Sequence, residues 1–255
     1  MPVLPRFKSE NYPALHVLNF GYEIEGAFND EFSDQDEDGE YYNEHYRHDG
    51  SVSVNADDCD DGEISSPRFR IDRRKQFRIF TKENMPDETN ASCGVHVHVS
   101  FNNALAYQKC TDAIFYKTFR KDVWRFMHNG LFSDKTVTEF EGRFRGTRST
   151  YCRDGFNPDS SINGGFRGFT TEVSNLDSGR YNCINFDAYR KFGTIECRMF
   201  PSSNDADEVI AMVEFWIEFC NNYLQNVTPY ERANFEDVNM DIDTVETHEE
   251  VLICV

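Results

Sequence analysis

Alternation of apolar and polar positions marks several short segments as strands. Gly21-Tyr22-Glu23-Ile24-Glu25, Cys93-Gly94-Val95-His96-Val97-His98-Val99 and Thr194-Ile195-Glu196-Cys197-Arg198-Met199 each carry polar side chains at spacing two. Side chains two apart on a strand share a face. Glu23 with Glu25, His96 with His98, and Glu196 with Arg198 therefore project as pairs, while Ile24, Val95, Val97, Val99, Ile195, Cys197 and Met199 turn into apolar packing. The same reading predicts a strand over residues 15 to 25, a turn into a strand over His48 to Val54, and a strand from Gly62 stopped at Pro67. A helical stripe over Asn102 to Gly130 holds Leu105, Ile114, Phe115, Phe119, Val123, Phe126 and Met127. A second, from Asp205 to Gln225, holds Val209, Met212, Val213, Trp216, Phe219, Cys220 and Tyr223, with Asn204 or Asp205 as its cap. Residues 143 to 179 are rich in Gly, Ser, Asn and Arg without periodicity and read as loops over a site. No repeat or low-complexity linker divides the chain, so one α+β domain over residues 1–233 is expected, followed by an acidic tail over 234–255 that is a candidate for poor order.

Composition narrows the function classes. A chain of 255 residues, 39% hydrophobic and 15% aromatic, can bury a substantial core. The formal net charge of -19 argues against non-specific binding to nucleic acid or to an anionic membrane. Positive charge is nevertheless concentrated locally, in Arg68, Arg70, Arg73, Arg74, Lys75 and Arg78 and again in Arg143, Arg145, Arg148 and Arg153, where small anions such as phosphates could bind. The first cluster has the plainer reading of a solvated surface. Eight cysteines without a Cys-x-x-Cys motif suit reduced, buried thiols better than a zinc knuckle. Neither a signal-peptide pattern nor an apolar run of membrane-spanning length occurs, so a soluble, cytoplasmic protein is expected.

If the three paired strands share a sheet, one face gathers carboxylates and imidazoles. Clustered acids either take up protons or bind cations, and oxygen ligands with imidazole suit magnesium or manganese. Each pair also has a plain structural reading: exposed glutamates on a half-solvated sheet, a surface His-Val-His, and an ion pair between Glu196 and Arg198.

In chain order, Gly-x-Glu-x-Glu at Gly21, Asp49-Gly50-Ser51, Gly62-Glu63-Ile64-Ser65-Ser66-Pro67, Cys-Gly-x-His-Val-His-Val at Cys93, Arg180-Tyr181 with Asn185, and Thr-x-Glu-x-Arg at Thr194 together resemble the amidoligase family. That family belongs to the carboxylate-amine ligase superfamily, with glutamine synthetase and glutamate-cysteine ligase. The resemblance spans roughly residues 18 to 200. It implies an antiparallel sheet curved into a partly open barrel, with helices outside, and ATP-dependent formation of an amide or isopeptide bond through an acyl phosphate. It implies Glu23, Glu25, Glu63, His96 and Glu196 as ligands of Mg or Mn, and Arg198 as the arginine that meets the transferred phosphate. His98 would lie near the nucleotide phosphates, and Asp49 with Ser51 would hold substrate or a metal-bound water, Asp49 being also a candidate base. Arg180, Tyr181 and Asn185 would contact substrate or nucleotide, and Arg148 with Tyr151 and Cys152 resembles a central-loop segment of the family. The partners implied are a carboxylate and an amine, on small molecules, a peptide or a protein.

Other classes stay open at this point. One is an inactive relative or interaction module that binds metal and nucleotide without ligation. Another is a metal-dependent hydrolase with zinc on His96 and His98, although the surrounding carboxylates suit harder ions. Asp34-x-Asp36-x-Asp38-Gly39 matches the first half of a calcium-binding EF-hand loop, but His45 stands where the last ligand should be glutamate, and no helix is expected before it.

Overall fold

The computed structural model describes residues 15–35, 40, 41, 43–110, 113–145 and 182–226. The EF-hand-like segment beyond Gln35, the arginine-rich stretch from residue 146, with Arg148, and Arg180, Tyr181 and the acidic tail lie outside them. The strands are β1 (Val17–Phe28), β2 (Tyr46–His48), β3 (Asp60–Ser65), β4 (Phe69–Arg70), β5 (Gly94–Phe101), β6 (Ile184–Asn185) and β7 (Ile195–Pro201). Helices are α1 (Asp30–Ser33), α2 (Arg74–Glu83), α3 (Ala104–Cys110), α4 (Ala113–Met127), α5 (Asp134–Phe144), α6 (Ala188–Phe192) and α7 (Ala206–Gln225). The strands form one antiparallel sheet in the order β2-β3-β1-β5-β7-β6, with the short β4 also on β1. The architecture is α+β, and the sheet is open, not closed into a barrel.

One face of the sheet is apolar, as the alternation requires. Tyr22, Ile24, Val95, Val97, Val99, Ile195 and Cys197 have no exposed surface and join the core. Against them lies α7, whose Val209, Met212, Val213, Trp216 and Cys220 are fully buried. Asp205 caps α7 by accepting from the Asp207 N–H at 2.8 Å, satisfying a donor that the first helical turn leaves free.

Two local expectations differ, and a third, the solvated basic cluster, holds with a helix added. The single stripe from Asn102 to Gly130 is divided between α3 and α4. Phe115, Phe119, Val123 and Met127 keep the four-residue rhythm and are fully buried, whereas Ile114, one position out of phase, is 69% exposed. The strand expected after His48 precedes it instead: β2 ends at His48, and Asp49 to Ser51 form the turn. The basic cluster from Arg68 to Arg78 is partly helix α2, tied to α7 by Arg78–Glu214 at 2.7 Å, Arg74–Glu218 at 3.3 Å and Lys82–Asp207 at 3.2 Å. Those cations face helix carboxylates, so an anion would have to compete for them. Among the described residues no helix is long and apolar enough to cross a membrane.

Candidate metal centre

Register brings the polar pairs together on the other face. In β1 and β5, Glu23 stands opposite His96 and Gly21 opposite His98. In β5 and β7, His98 stands opposite Glu196. Beyond that pair β7 carries one extra residue, since Val97 pairs with Cys197 but Val95 with Phe200. This bulge lets Glu196 and Arg198 serve the polar face while Phe200 returns to the core. On the other side of β1, Glu25 stands opposite Glu63 of β3. Like charges directly opposed across a ladder destabilise it, and Arg47, the β2 neighbour of Glu63, spends its guanidinium on the carbonyls of Glu44 and Tyr46.

The side chains converge as two groups. Glu23, His96 and Glu196 offer ligand atoms within 4.8 Å of one another, and so do Glu25, Asp49 and Glu63. His96 is the hub: its Nδ1 lies 3.2 Å from Glu23 Oε2 and 3.8 Å from Glu196 Oε1, and its Nε2 lies 3.6 Å from Glu25 Oε1. His98 Nε2 is 3.7 Å from Glu23 Oε1, and its Nδ1 meets the Thr194 hydroxyl at 3.0 Å. Asn185 of β6 donates to Glu196 Oε2 at 2.6 Å, and Arg198 to Glu196 Oε1 at 2.6 Å. The Gly94 N–H donates to Glu25 Oε2 at 2.6 Å.

Burial makes this charge expensive. Burial, with the nearby charges of Glu23, Glu25 and Asp49, pushes the Glu63 carboxyl up to about 8, and Arg198 only partly opposes it. For Glu23 burial acts upward too, but the imidazoles of His96 and His98 outweigh it and hold the carboxyl at about 2. Burial disfavours protonated His98, yet Glu196 and Glu23 prevail and raise its pKa. Arg198 is raised likewise, the charge of Glu196 overcoming burial. Five carboxylates and an imidazole form an oxygen-rich donor set that fits magnesium or manganese better than zinc.

Of the residues singled out by sequence, Glu23, Glu25, Glu63, His96, His98, Asn185, Glu196 and Arg198 meet on this face. Asp49 joins Glu25 and Glu63 as a ligand-type group. Ser51 is exposed, and its N–H donates to Asp49 Oδ1 at 2.8 Å, so it shapes the turn that presents Asp49. Sequence reasoning passed over Thr194 as the partner of His98 and Gly94 as the donor to Glu25, though both sit inside quoted motifs. It also left Arg143 in a generic basic cluster, and the structure places that side chain beside Gly94. No family model, curated protein or solved structure matches the chain.

Proposed function

We propose that this chain is an ATP- and magnesium-dependent ligase of the amidoligase kind, joining a carboxylate to an amine through an acyl phosphate. One observation carries the reading: the register of four adjacent strands sets Glu23 opposite His96, Glu196 opposite His98 and Glu25 opposite Glu63, a gathering of carboxylates suited to divalent cations. The proposal includes kinship with the open-barrel catalytic sheet of glutamine synthetase-like ligases.

In this reading Glu23, His96 and Glu196 would hold one ion, and Glu25, Asp49 and Glu63 another. When bound, magnesium neutralises the phosphate oxygens of ATP, which is most of what phosphoryl transfer requires. Arg198, fixed by Glu196, offers a guanidinium to the phosphoryl group as it moves to the substrate carboxylate. That transfer breaks the bond between the γ-phosphorus and ADP, which departs, and replaces the carboxylate's poor leaving group by phosphate. The amine then attacks the acyl carbon, loses a proton and expels phosphate. Asn185 and Thr194 keep Glu196 and His98 in place, so the charges need not reorganise during reaction.

The test is interception. Carboxylates, amino acids and peptides are screened with ATP, magnesium and hydroxylamine, a nucleophile that traps acyl phosphates. Hydroxamate and ADP in equal amounts, both absent in Glu196→Gln, are the expected result. One zinc per chain with ATP-independent cleavage would establish the hydrolase instead.

A further inference from the structure

We propose that Arg143 is a second anion-binding residue of this site, receiving a carboxylate or phosphate oxyanion at the Gly94 end of β5. Arg143 lies in the last turn of α5 and is 3% exposed, the one arginine among the described residues that is buried. It makes no ion pair with any described residue. Its Nη2 donates to the Cys93 carbonyl, tying α5 to the start of β5, and its Nε is buried without a partner.

Position gives this arginine its meaning. A Cβ built on Gly94 would lie 3.0 Å from Arg143 Nη1, 3.1 Å from Nη2 and 3.1 Å from His96 Nε2. Residues 94, 96 and 98 share the polar face, so the Nη edge of the guanidinium faces that surface, beside the imidazole that links the two ligand groups. A side chain at 94 would press on the guanidinium and the imidazole, which would have to give way by a few tenths of an ångström. Two buried carboxylates stand near it without a direct ion pair to it: Glu25, whose Oε2 accepts from Gly94 and whose Oε1 faces His96, and Glu139, one turn back on α5. With no direct ion pair and with its Nε lacking an acceptor, the guanidinium keeps donors for a further anion, and its planar fork suits a two-oxygen acceptor. Arg198 lies on the Nδ1 side of His96 with Glu196, and Arg143 on the Nε2 side. The two cations therefore bracket the acidic groups, and an anion held by Arg143 would lie across them from the group held by Arg198.

The nature of the anion rests on the ligase reading, with carboxylate substrate and phosphate as its two sources. Inorganic phosphate and glutarate serve as probes, titrated by calorimetry with magnesium into wild type, Arg143→Met and Arg143→Lys. At least one probe is expected to bind wild type, tenfold or more weakly to Arg143→Met, and at an intermediate level to Arg143→Lys, which keeps the charge but loses the fork. Loss confined to phosphate assigns the phosphate source, and loss confined to glutarate the carboxylate source. Magnesium itself should bind Arg143→Met several-fold more tightly, because a like charge has gone, which checks that the guanidinium lies close to the ligand groups; the loss of probe affinity is what a purely structural arginine would not produce. If Arg143→Met fails to fold, Arg143→Lys alone decides. Unchanged affinity for both probes in a folded variant, or no binding of either to wild type, would overturn the inference. Hydroxamate formation alongside such a result would leave the ligase reading standing, whereas Arg143-dependent anion binding without hydroxamate would remove the ligase reading alone.

Discussion

Glu63→Gln should stabilise the metal-free protein, and only at high pH. Glu63 faces Glu25 across the ladder, and its carboxyl is raised from 4.5 to about 8. A raised folded-state pKa means that the neutral acid contributes stability fully present below about pH 4.5 and lost progressively as pH climbs through about 8. Glutamine resembles the neutral acid at every pH. At about 1.4 kcal/mol per pH unit the interval corresponds to an upper bound of ~5 kcal/mol, and screening by solvent at this incompletely buried side chain brings it to about 2–3 kcal/mol. For a chain of this size that is a gain of roughly 5–10 °C in Tm. Thermal unfolding in EDTA, followed by circular dichroism from pH 5 to 9, measures it. The two proteins should melt together near pH 5, separate between pH 5 and 8, and keep a constant gap above. Magnesium should reverse the order above pH 8, since the wild-type carboxylate gains an ion that glutamine binds poorly. A gap independent of pH, or a variant less stable at pH 9 in EDTA, would refute the electrostatic account of this site.

Three further outcomes are expected. Magnesium with ATP should raise Tm more than either alone, and Glu196→Gln should remove the gain while leaving far-UV circular dichroism unchanged; equal melting in all conditions would count against the site. Arg198→Ala should lower turnover on the order of 10² or more while weakening ATP binding far less, with Arg198→Lys a poor rescue, as steady-state kinetics beside equilibrium ATP binding would reveal. Gly94→Ala should cost about 1–3 kcal/mol in chemical denaturation through the crowding of Arg143 and His96, and should weaken magnesium binding as the imidazole is displaced.

Strand chemistry was legible because its period is short. Glu23, Glu25, His96, His98 and Glu196 follow strict alternation, so their common face could be read from spacing alone, and α7 declared itself through an apolar stripe over five turns. Register was not legible: nothing local says that Glu25 opposes Glu63 or that β7 bulges after Cys197. α2 was missed because only Phe77 and Thr81 of its face are buried, and its many cations read as surface. α5 was hidden differently: it buries polar groups, Thr136, Glu139 and Arg143, beside Phe140, so its stripe is not apolar. That mixed stripe is what carries Arg143 to the sheet.

The separation in sequence of the strands that form the acidic face governs when the face comes into being. Glu23 and His96 are 73 residues apart, and His98 and Thr194 are 96 apart. During synthesis β1 and β5 emerge with an incomplete set, and the group of Glu23, His96 and Glu196 exists only once β7 docks and delivers Glu196. Such long-range pairing folds slowly. An ion held by the proposed centre only after that docking would act chiefly on the lifetime of the finished sheet, slowing unfolding and leaving the rate of folding largely alone. Occupancy by an ion would thus be a lock on the completed fold, and a chain arrested before β7 would lack the Glu196 that closes it.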